Sequence, residues 1–370
     1  MKKYVFFVVS FFLILATVAG MTLLLPAKAI SENENRTLAQ MPALNGETIL
    51  SGDFQEGIAD FLSDQIPGRE LWIGANTAIK KLLGQKQING VYLGEDGYYF
   101  QAFTEYDESH MDTVAALFEQ FAASTDVPVR ILMVPTPGVA LKDKLPANAP
   151  MYDADKLWEK LIAATPSCQF IDLRQQFAAA DAQLYYRTDH HWTADGAYLA
   201  YTAYCQAAGL TAKTLADFAL EKVAPEFYGT IYSKVLDSAA KPDSVFAPTA
   251  LPEVTVTIDG ETVLDSIYVE DFLNKKDKYA YFFGGNYGKV EITTGANNGK
   301  VLLVIKDSFA NSLMPYLLED YEKIIMLDMR YFDGKTSEEL MLGGVTDVLF
   351  VYEMTNLYET RGDFAKKILK

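Results

Sequence analysis

Residues 301–309 read VLLVIKDSF, a run of five apolar residues that ends in the polar triplet Lys306-Asp307-Ser308 before Phe309. A short apolar run of this kind is typical of a strand buried on both faces, as in parallel sheets that helices cover on each side. Further apolar runs at 129–134, 170–173, 324–327 and 348–352 alternate with stretches of helical periodicity. We therefore predict an α/β fold with a mainly parallel sheet covered on both faces.

The remaining patterns predict the helices and a smaller antiparallel part. Apolar spacing predicts helices at 54–62, 71–83, 111–123, 157–164 and 194–208. Residues 91–100 (VYLGEDGYYF) predict a hairpin in which Asp96-Gly97 supplies the positive backbone angles of the turn. Alternating apolar and polar residues at 254–258 and 290–293 predict an antiparallel insertion within residues 251–298.

The first segment of the chain is a candidate membrane span. Residues 4–25 are 22 residues without a charge, and a helix of that length spans about 33 Å, enough to cross a bilayer. Ala27-Lys28-Ala29 offers a signal-peptide cleavage site, but the length of the apolar run favours an uncleaved anchor. Lys2 and Lys3 hold the N-terminus in the cytoplasm. We expect residues 1–29 to be an anchor or signal segment and residues 30–370 to form one extracytoplasmic domain, secreted if cleavage occurs.

Charge and cysteine content narrow the range of functions. The chain carries 49 acidic and 32 basic residues, a formal net charge of −17, which disfavours binding to nucleic acid. The two cysteines, Cys168 and Cys205, are too few for a disulfide framework, and both lie among apolar neighbours. We expect buried free thiols, although an extracytoplasmic location permits one disulfide.

Two of the three histidines of the chain lie together in the stretch Asp189-His190-His191-Trp192. In an extended loop, Asp189 and His191 point the same way, so the carboxylate can orient the imidazole while its other nitrogen faces a nucleophile. Ser308 follows a predicted parallel strand, where chemistry collects in such sheets. These residues supply nucleophile, base and orienting acid for acyl transfer. We expect His190 to point the opposite way.

Each of these residues also has a structural interpretation. Ser308 can cap the helix that follows it, and the Asp-His-His cluster can be structural or two-thirds of a metal site. A third histidine, His110, lies far upstream, so we expect neither a metal nor a cofactor. Arg330 can stabilise an oxyanion or bind polymer, or it can pair with Asp328 or Asp333.

Three further residues have mainly structural interpretations. We expect Lys306 to be solvated at its strand end and Trp192 to pack against the following helix. We expect Tyr228-Gly229 to form a tight turn rather than a substrate loop.

The Asp189 to Trp192 stretch is the signature of the DHHW-motif proteins, and the chain resembles this family over nearly its whole length after the first segment. The other matching stretches are Glu34-Asn35-Arg36, 64–69 (DQIPGR), 91–100, 227–230 (FYGT), 306–312 (KDSFANS) and 327–332 (LDMRYF). The family is similar to the alginate O-acetylation enzymes and, more distantly, to SGNH (GDSL-type) hydrolases. The resemblance implies a three-layer α/β/α SGNH-hydrolase-like fold.

By this resemblance, Asp189, His191 and Ser308 are the catalytic residues and Arg330 lies near them. The serine follows the Asp-x-His pair, whereas it comes first in typical SGNH esterases. His190 replaces a non-histidine residue, and the glycine and asparagine that donate to the oxyanion in SGNH esterases are not identified. Asn286 or Asn311 can donate to the oxyanion in their place. Asn311, His190 and Tyr228 are candidate oxyanion or substrate-binding residues.

The resemblance also implies a reaction and its partners. The reaction is acetyl transfer, through an acyl-Ser308 intermediate, to a hydroxyl of a cell-surface or exported polysaccharide. A separate polytopic membrane acyltransferase is implied as the acyl donor. Two other classes stay open: an esterase that uses the same triad with water as acceptor, and a non-catalytic polysaccharide-binding or scaffold protein of the same fold.

Overall fold

The structure is a computed structural model that describes residues 2–31, 33–34, 36–359 and 367–369. Asn35, part of the matching stretch Glu34-Asn35-Arg36, lies outside the described residues. The chain forms two compact units, one of residues 1–89 with 232–240 and one of residues 90–231 with 241–370.

The first unit begins with a long apolar helix. Its elements are α1 (Lys2–Leu24), β1 (Ile30–Ser31), β2 (Arg36–Thr37), α2 (Gly46–Ser51), α3 (Asp53–Gln65), α4 (Arg69–Leu82) and β3 (Gln87–Ile88). Within α1, the stretch Tyr4–Leu24 is long and apolar enough to cross a membrane. The helices predicted at 54–62 and 71–83 are confirmed as α3 and α4.

The second unit contains an eight-stranded sheet. Its strands are β6 (Val129–Val134), β7 (Gln169–Asp172), β10 (Val254–Ile258), β11 (Thr262–Leu264), β12 (Lys289–Thr294), β13 (Val301–Lys306), β14 (Lys323–Leu327) and β15 (Asp347–Glu353). Their order is β11-β10-β12-β14-β13-β15-β6-β7. The five strands from β14 to β7 are parallel, whereas β10, β11 and β12 join antiparallel at one edge. The mainly parallel sheet and the antiparallel insertion are confirmed.

Helices cover both faces of this sheet. They are α5 (Glu108–Ala123), α6 (Pro137–Ala140), α7 (Ala154–Ala164), α8 (Arg174–Ala179), α9 (Ala194–Ala208), α11 (Phe309–Leu317), α12 (Thr336–Leu342) and α13 (Met354–Glu359). Another short helix, α10, spans Thr230–Val235. Side chains alternate across a strand, so Leu302 and Val304 of β13 join the core that includes α9 and α11. Leu303 and Ile305 join the opposite core, with α5 and α7. The three-layer α/β/α architecture is confirmed.

Two small antiparallel pairs complete the unit. The strands β4 (Val91–Leu93) and β5 (Tyr99–Gln101) form the predicted hairpin, and Asp96 and Gly97 adopt φ of 55° and 86° in its connection. The strand β8 (Leu220–Phe227) pairs with β9 (Asp243–Pro248).

Both cysteines are free thiols, as expected from the sequence. Cys205 is buried, but Cys168 is only half-buried. Burial raises the pKa of each thiol to about 12, so neither thiol is reactive at neutral pH.

Candidate active site

Ser308, His191 and Asp189 form one continuous hydrogen-bonded chain at the carboxyl end of β13. Ser308 Oγ lies 2.7 Å from His191 Nε2, and His191 Nδ1 lies 2.6 Å from Asp189 Oδ1. Ser308 occupies the position before α11, but its side chain makes no capping hydrogen bond. The hydroxyl is therefore directed to the imidazole and not to the helix. This geometry allows His191 to take a proton from Ser308 while Asp189 holds the ring.

The Asp189 carboxylate is fully enclosed and accepts four hydrogen bonds. Oδ1 accepts from the backbone N–H of His191 at 2.9 Å as well as from Nδ1. Oδ2 accepts from the backbone N–H of Thr230 at 2.7 Å and from its hydroxyl at 3.0 Å. Burial by itself raises the pKa of Asp189, but the charges of His190 and His191 and these hydrogen bonds outweigh it and hold the pKa below its usual range. The residue is therefore an anion at neutral pH.

Gly229 allows this close packing around the carboxylate. A Cβ placed on Gly229 would overlap Cβ and Oδ2 of Asp189, and its N–H donates to Thr188 Oγ1 at 3.2 Å. Tyr228 is half-buried in the connection between β8 and α10. A glycine is needed at this position because it lets the backbone approach Asp189 closely, and not because it adopts a positive φ. The expectation of a tight turn did not include this close approach.

Aromatic side chains hold the His191 ring on both faces. Tyr279 stacks on it with ring centroids 3.7 Å apart, and His190 lies at 3.9 Å. One face cannot hold two rings at such distances, so these two lie on opposite faces. The Tyr279 hydroxyl donates to the carbonyl oxygen of Ser308 at 3.0 Å. It also lies 2.9 Å from Ser312 Oγ, which accepts from Trp192 Nε1 at 2.8 Å.

The expected orientation of His190 is wrong. Residues 187–191 form bends instead of an extended strand, so side chains do not alternate there. His190 Nδ1 lies 2.8 Å from Thr230 Oγ1 and 3.7 Å from Asp189 Oδ1. His190 therefore packs on the same side as His191, while the contact with Ser308 belongs to His191. Trp192 is fully buried in the core, in agreement with its structural interpretation.

Asp307 fixes the backbone on which Ser308 sits. Its Oδ1 accepts from the N–H of Phe309 at 2.9 Å, and its Oδ2 accepts from the N–H of Glu353 at 2.8 Å and from Asn356 Nδ2 at 2.9 Å. Burial raises the pKa of this carboxyl, and these donors partly offset the effect. Asp307 thus ties the end of β13 and the start of α11 to the end of β15.

A second polar cluster begins two residues before Ser308. Lys306 is buried, which overturns the expectation of a solvated lysine. Its Nζ donates to Asn311 Oδ1 at 2.8 Å and to Asn286 Oδ1 at 3.0 Å, and lies 3.8 Å from Asp328 Oδ2. Burial lowers the pKa of Lys306 to about 8. Asn311 therefore holds Lys306, and its Nδ2 donates to Asn286 Oδ1 at 3.2 Å.

Arg330 forms a bidentate ion pair with Asp328. Nε donates to Oδ1 at 2.9 Å and Nη2 donates to Oδ2 at 2.6 Å. Of the two partners expected for a salt bridge of Arg330, Asp328 and Asp333, Asp328 is the one that it contacts. Because Asp328 also lies beside Lys306, the pair belongs to the same cluster.

Residues 154–327, which include the triad, match the model of the DHHW family, described as DHHW protein. Over these residues, slightly less than half of the 370-residue chain, the sequence is similar to the DHHW family. A DHHW family protein from Eubacterium siraeum has the same fold, with a TM-score of 0.66 and 25% identity over 77% of this chain and 97% of that chain.

The second solved protein with this fold is Bacillus cereus PatB1. Its structure with a sulfonyl adduct has a TM-score of 0.63 and 22% identity, over 77% of this chain and 99% of that chain. Another PatB1 structure has a TM-score of 0.60 and 23% identity, over 73% of this chain and 97% of that chain. The comparison with curated proteins gives no match.

The DHHW stretch also brings three potential metal ligands together. Ligand atoms of Asp189, His190 and His191 lie within 4.8 Å of one another. In the arrangement described here, Asp189 accepts four hydrogen bonds and His191 Nε2 faces Ser308. The same atoms thus serve the triad, which does not need a metal to activate the hydroxyl.

The roles of three residues at this site were not predicted from the sequence. Thr230 and Gly229 enclose Asp189, and Tyr279 covers His191. The stretch 227–230 stood among the matching motifs, so a signal existed for the first two. Tyr279 lies in the antiparallel insertion, where nothing in the local pattern marks one tyrosine among its neighbours.

Proposed function

We propose that this protein is an extracytoplasmic serine acyltransferase that acetylates hydroxyls of a cell-surface or exported polysaccharide. The observation that carries the proposal is the 2.7 Å contact between Ser308 Oγ and His191 Nε2, with Asp189 behind the imidazole. A serine hydroxyl becomes an effective nucleophile when a neighbouring imidazole accepts its proton. Residues 1–29 serve as the anchor and residues 30–370 lie outside the membrane.

The reaction proceeds in two balanced steps. Ser308 Oγ attacks the carbonyl carbon of the acyl donor while His191 Nε2 takes its proton. The bond to the donor oxygen then breaks, and the imidazolium returns the proton to that oxygen. In the second step, His191 takes the proton of the acceptor hydroxyl, whose oxygen attacks the acyl-serine ester. The ester bond to Ser308 breaks, and Oγ regains a proton.

Charge on the tetrahedral intermediate is stabilised from the start of α11 and from the Arg330 side. The helix begins at Phe309, directly after Ser308, so its positive dipole end lies at the reacting oxygen. Arg330 is the second proposed source of positive charge, and its guanidinium is held by Asp328. The acyl donor is a separate polytopic membrane acyltransferase, and the acceptor is the polysaccharide.

Labelling of Ser308 tests the nucleophile. The PatB1 structure carries a sulfonyl adduct, and sulfonyl fluorides react with activated serines. The full-length chain in detergent should be sulfonylated at Ser308, as read by peptide mass spectrometry, and Ser308→Ala should lose this label. Ser244→Ala is the matched control, because Ser244 bonds only to the carbonyl of Pro225 among the contacts described. Labelling that persists in Ser308→Ala would refute the assignment.

Product analysis then separates transfer from hydrolysis. The full-length chain is incubated with a chromogenic acetyl ester, with and without a neutral oligosaccharide. Acetylated sugar supports the transferase. Free acetate alone, unchanged by the sugar, identifies an esterase, and release of neither product by a labelled protein contradicts both.

A further inference from the structure

Helix α4 turns a row of large apolar side chains away from the rest of its unit. The row consists of Leu71, Trp72, Ile79, Leu82 and, directly after the helix, Leu83, which are 79%, 61%, 58%, 87% and 74% exposed. These positions share one face at the helical period. A continuous exposed apolar surface of this kind marks an interaction site.

The opposite face of α4 is the one that packs inward, and it is small and polar. Thr77 Oγ1 donates to the carbonyl oxygen of Val235 at 2.6 Å, and Lys81 forms an ion pair with Asp237. A Cβ on Gly74 would lie only 3.2 Å from the carbonyl oxygen of Leu236. The orientation is the reverse of that of an ordinary surface helix, so the apolar row is not available to the core of its own unit.

The start of α4 is tied to the chain that leaves the apolar helix α1. The backbone N–H of Lys28 donates to Gln65 Oε1 at 2.9 Å, and its carbonyl oxygen accepts from Gln65 Nε2 at 2.9 Å. Gln65 is the last residue of α3, and α4 begins at Arg69. Leu71 and Trp72, the first residues of the apolar row, therefore follow closely after Gln65, which contacts Lys28 just beyond the end of α1.

We propose that α4 lies in the membrane interface, with its apolar row among the acyl chains of the extracytoplasmic leaflet. This inference rests on α1 spanning the bilayer and not on the chemistry of Ser308. Lipid covers the apolar row because α1 brings the start of α4 to the membrane surface. Lys80 in the last turn matches the anionic headgroups, and Trp72 suits the interfacial belt.

Tryptophan fluorescence tests this placement directly. Trp72 is exposed, whereas Trp158 and Trp192 are fully buried, so the difference between the wild type and Trp72→Phe reports Trp72. The full-length chain is reconstituted into vesicles of phosphatidylglycerol and phosphatidylcholine with or without brominated acyl chains. We expect brominated lipid to remove most of the Trp72 emission, and aqueous iodide to leave it unchanged.

Two variants locate the contact. The double change Ile79→Glu with Leu82→Glu should reverse the two quenching results, whereas Glu70→Gln, exposed on the same helix outside the row, should not. Ester hydrolysis should be unchanged in all three variant chains, which separates this inference from the proposed function. Iodide quenching without an effect of brominated lipid would overturn the proposal. Protection from both reagents would also overturn it, because a protein surface, such as a second copy, would then cover the row.

Discussion

Replacing Asp189 with asparagine should remove most of the turnover while the fold persists. Four donors converge on this carboxylate, two from His191 and two from Thr230. An amide offers one oxygen and one NH2 group. Whichever way the new amide is placed, its NH2 meets a backbone N–H, that of His191 or that of Thr230. One buried donor thus loses its acceptor, at a cost of about 1–3 kcal/mol to the free energy of unfolding.

The effect on catalysis is larger than the effect on stability. If the NH2 group faces His191, Nδ1 must lose its proton, and Nε2 then carries a proton and cannot accept one from Ser308. In the serine-protease triad, the equivalent change lowers kcat by about 10⁴-fold. A loss of about 10³ to 10⁴-fold, or about 4–5.5 kcal/mol in activation free energy, is expected here.

The assay is steady-state hydrolysis of the chromogenic acetyl ester, with urea unfolding as the check on the fold. The matched control is Asp195→Asn, because Asp195 is a half-buried carboxylate in the first turn of α9. That variant should keep kcat within about twofold of the wild type, because no described contact joins Asp195 to the triad. A folded Asp189→Asn chain that retains more than about a tenth of the wild-type kcat would refute the triad argument.

The remaining predictions concern the neighbours of the triad. Gly229→Ala forces a methyl group into Asp189. We expect this change to lower the free energy of unfolding by about 1–3 kcal/mol and to reduce kcat. Unchanged urea midpoints and turnover would contradict the packing role of Gly229. His191→Ala should abolish ester hydrolysis, whereas His190→Ala should reduce it only about 3- to 30-fold, since His190 contacts the base without facing Ser308; the reverse ranking would reassign the base. The lowered pKa of Lys306, about 8 against an ordinary 10.5, means that this residue binds more protons in the unfolded chain between these values, so the contribution of Lys306 to the stability should rise by about 3 kcal/mol across that pH range. Lys306→Met should flatten this rise in urea titrations, and an equal slope in both proteins would show that another group causes it.

Much of the fold was predictable from the sequence because local patterns report burial. The apolar runs at 129–134 and 301–305 became β6 and β13, and helix α9 begins and ends at the predicted residues 194 and 208. The Asp96-Gly97 pair marked its hairpin through the positive φ that both residues adopt. These features depend on neighbours in sequence and on the period of apolar side chains, so they need no knowledge of the tertiary fold.

The sequence by itself also determined which groups were available for chemistry: a serine after a buried strand, and a carboxylate two residues before a histidine. Only the tertiary structure decided that Ser308 and His191, which are 117 residues apart, lie within hydrogen-bonding distance. It also decided that Lys306 is buried, that His190 packs against His191, and that Thr230 donates to Asp189. The physical reason is that these contacts join loops from separate elements, and their geometry follows from how the sheet and helices pack rather than from any local period.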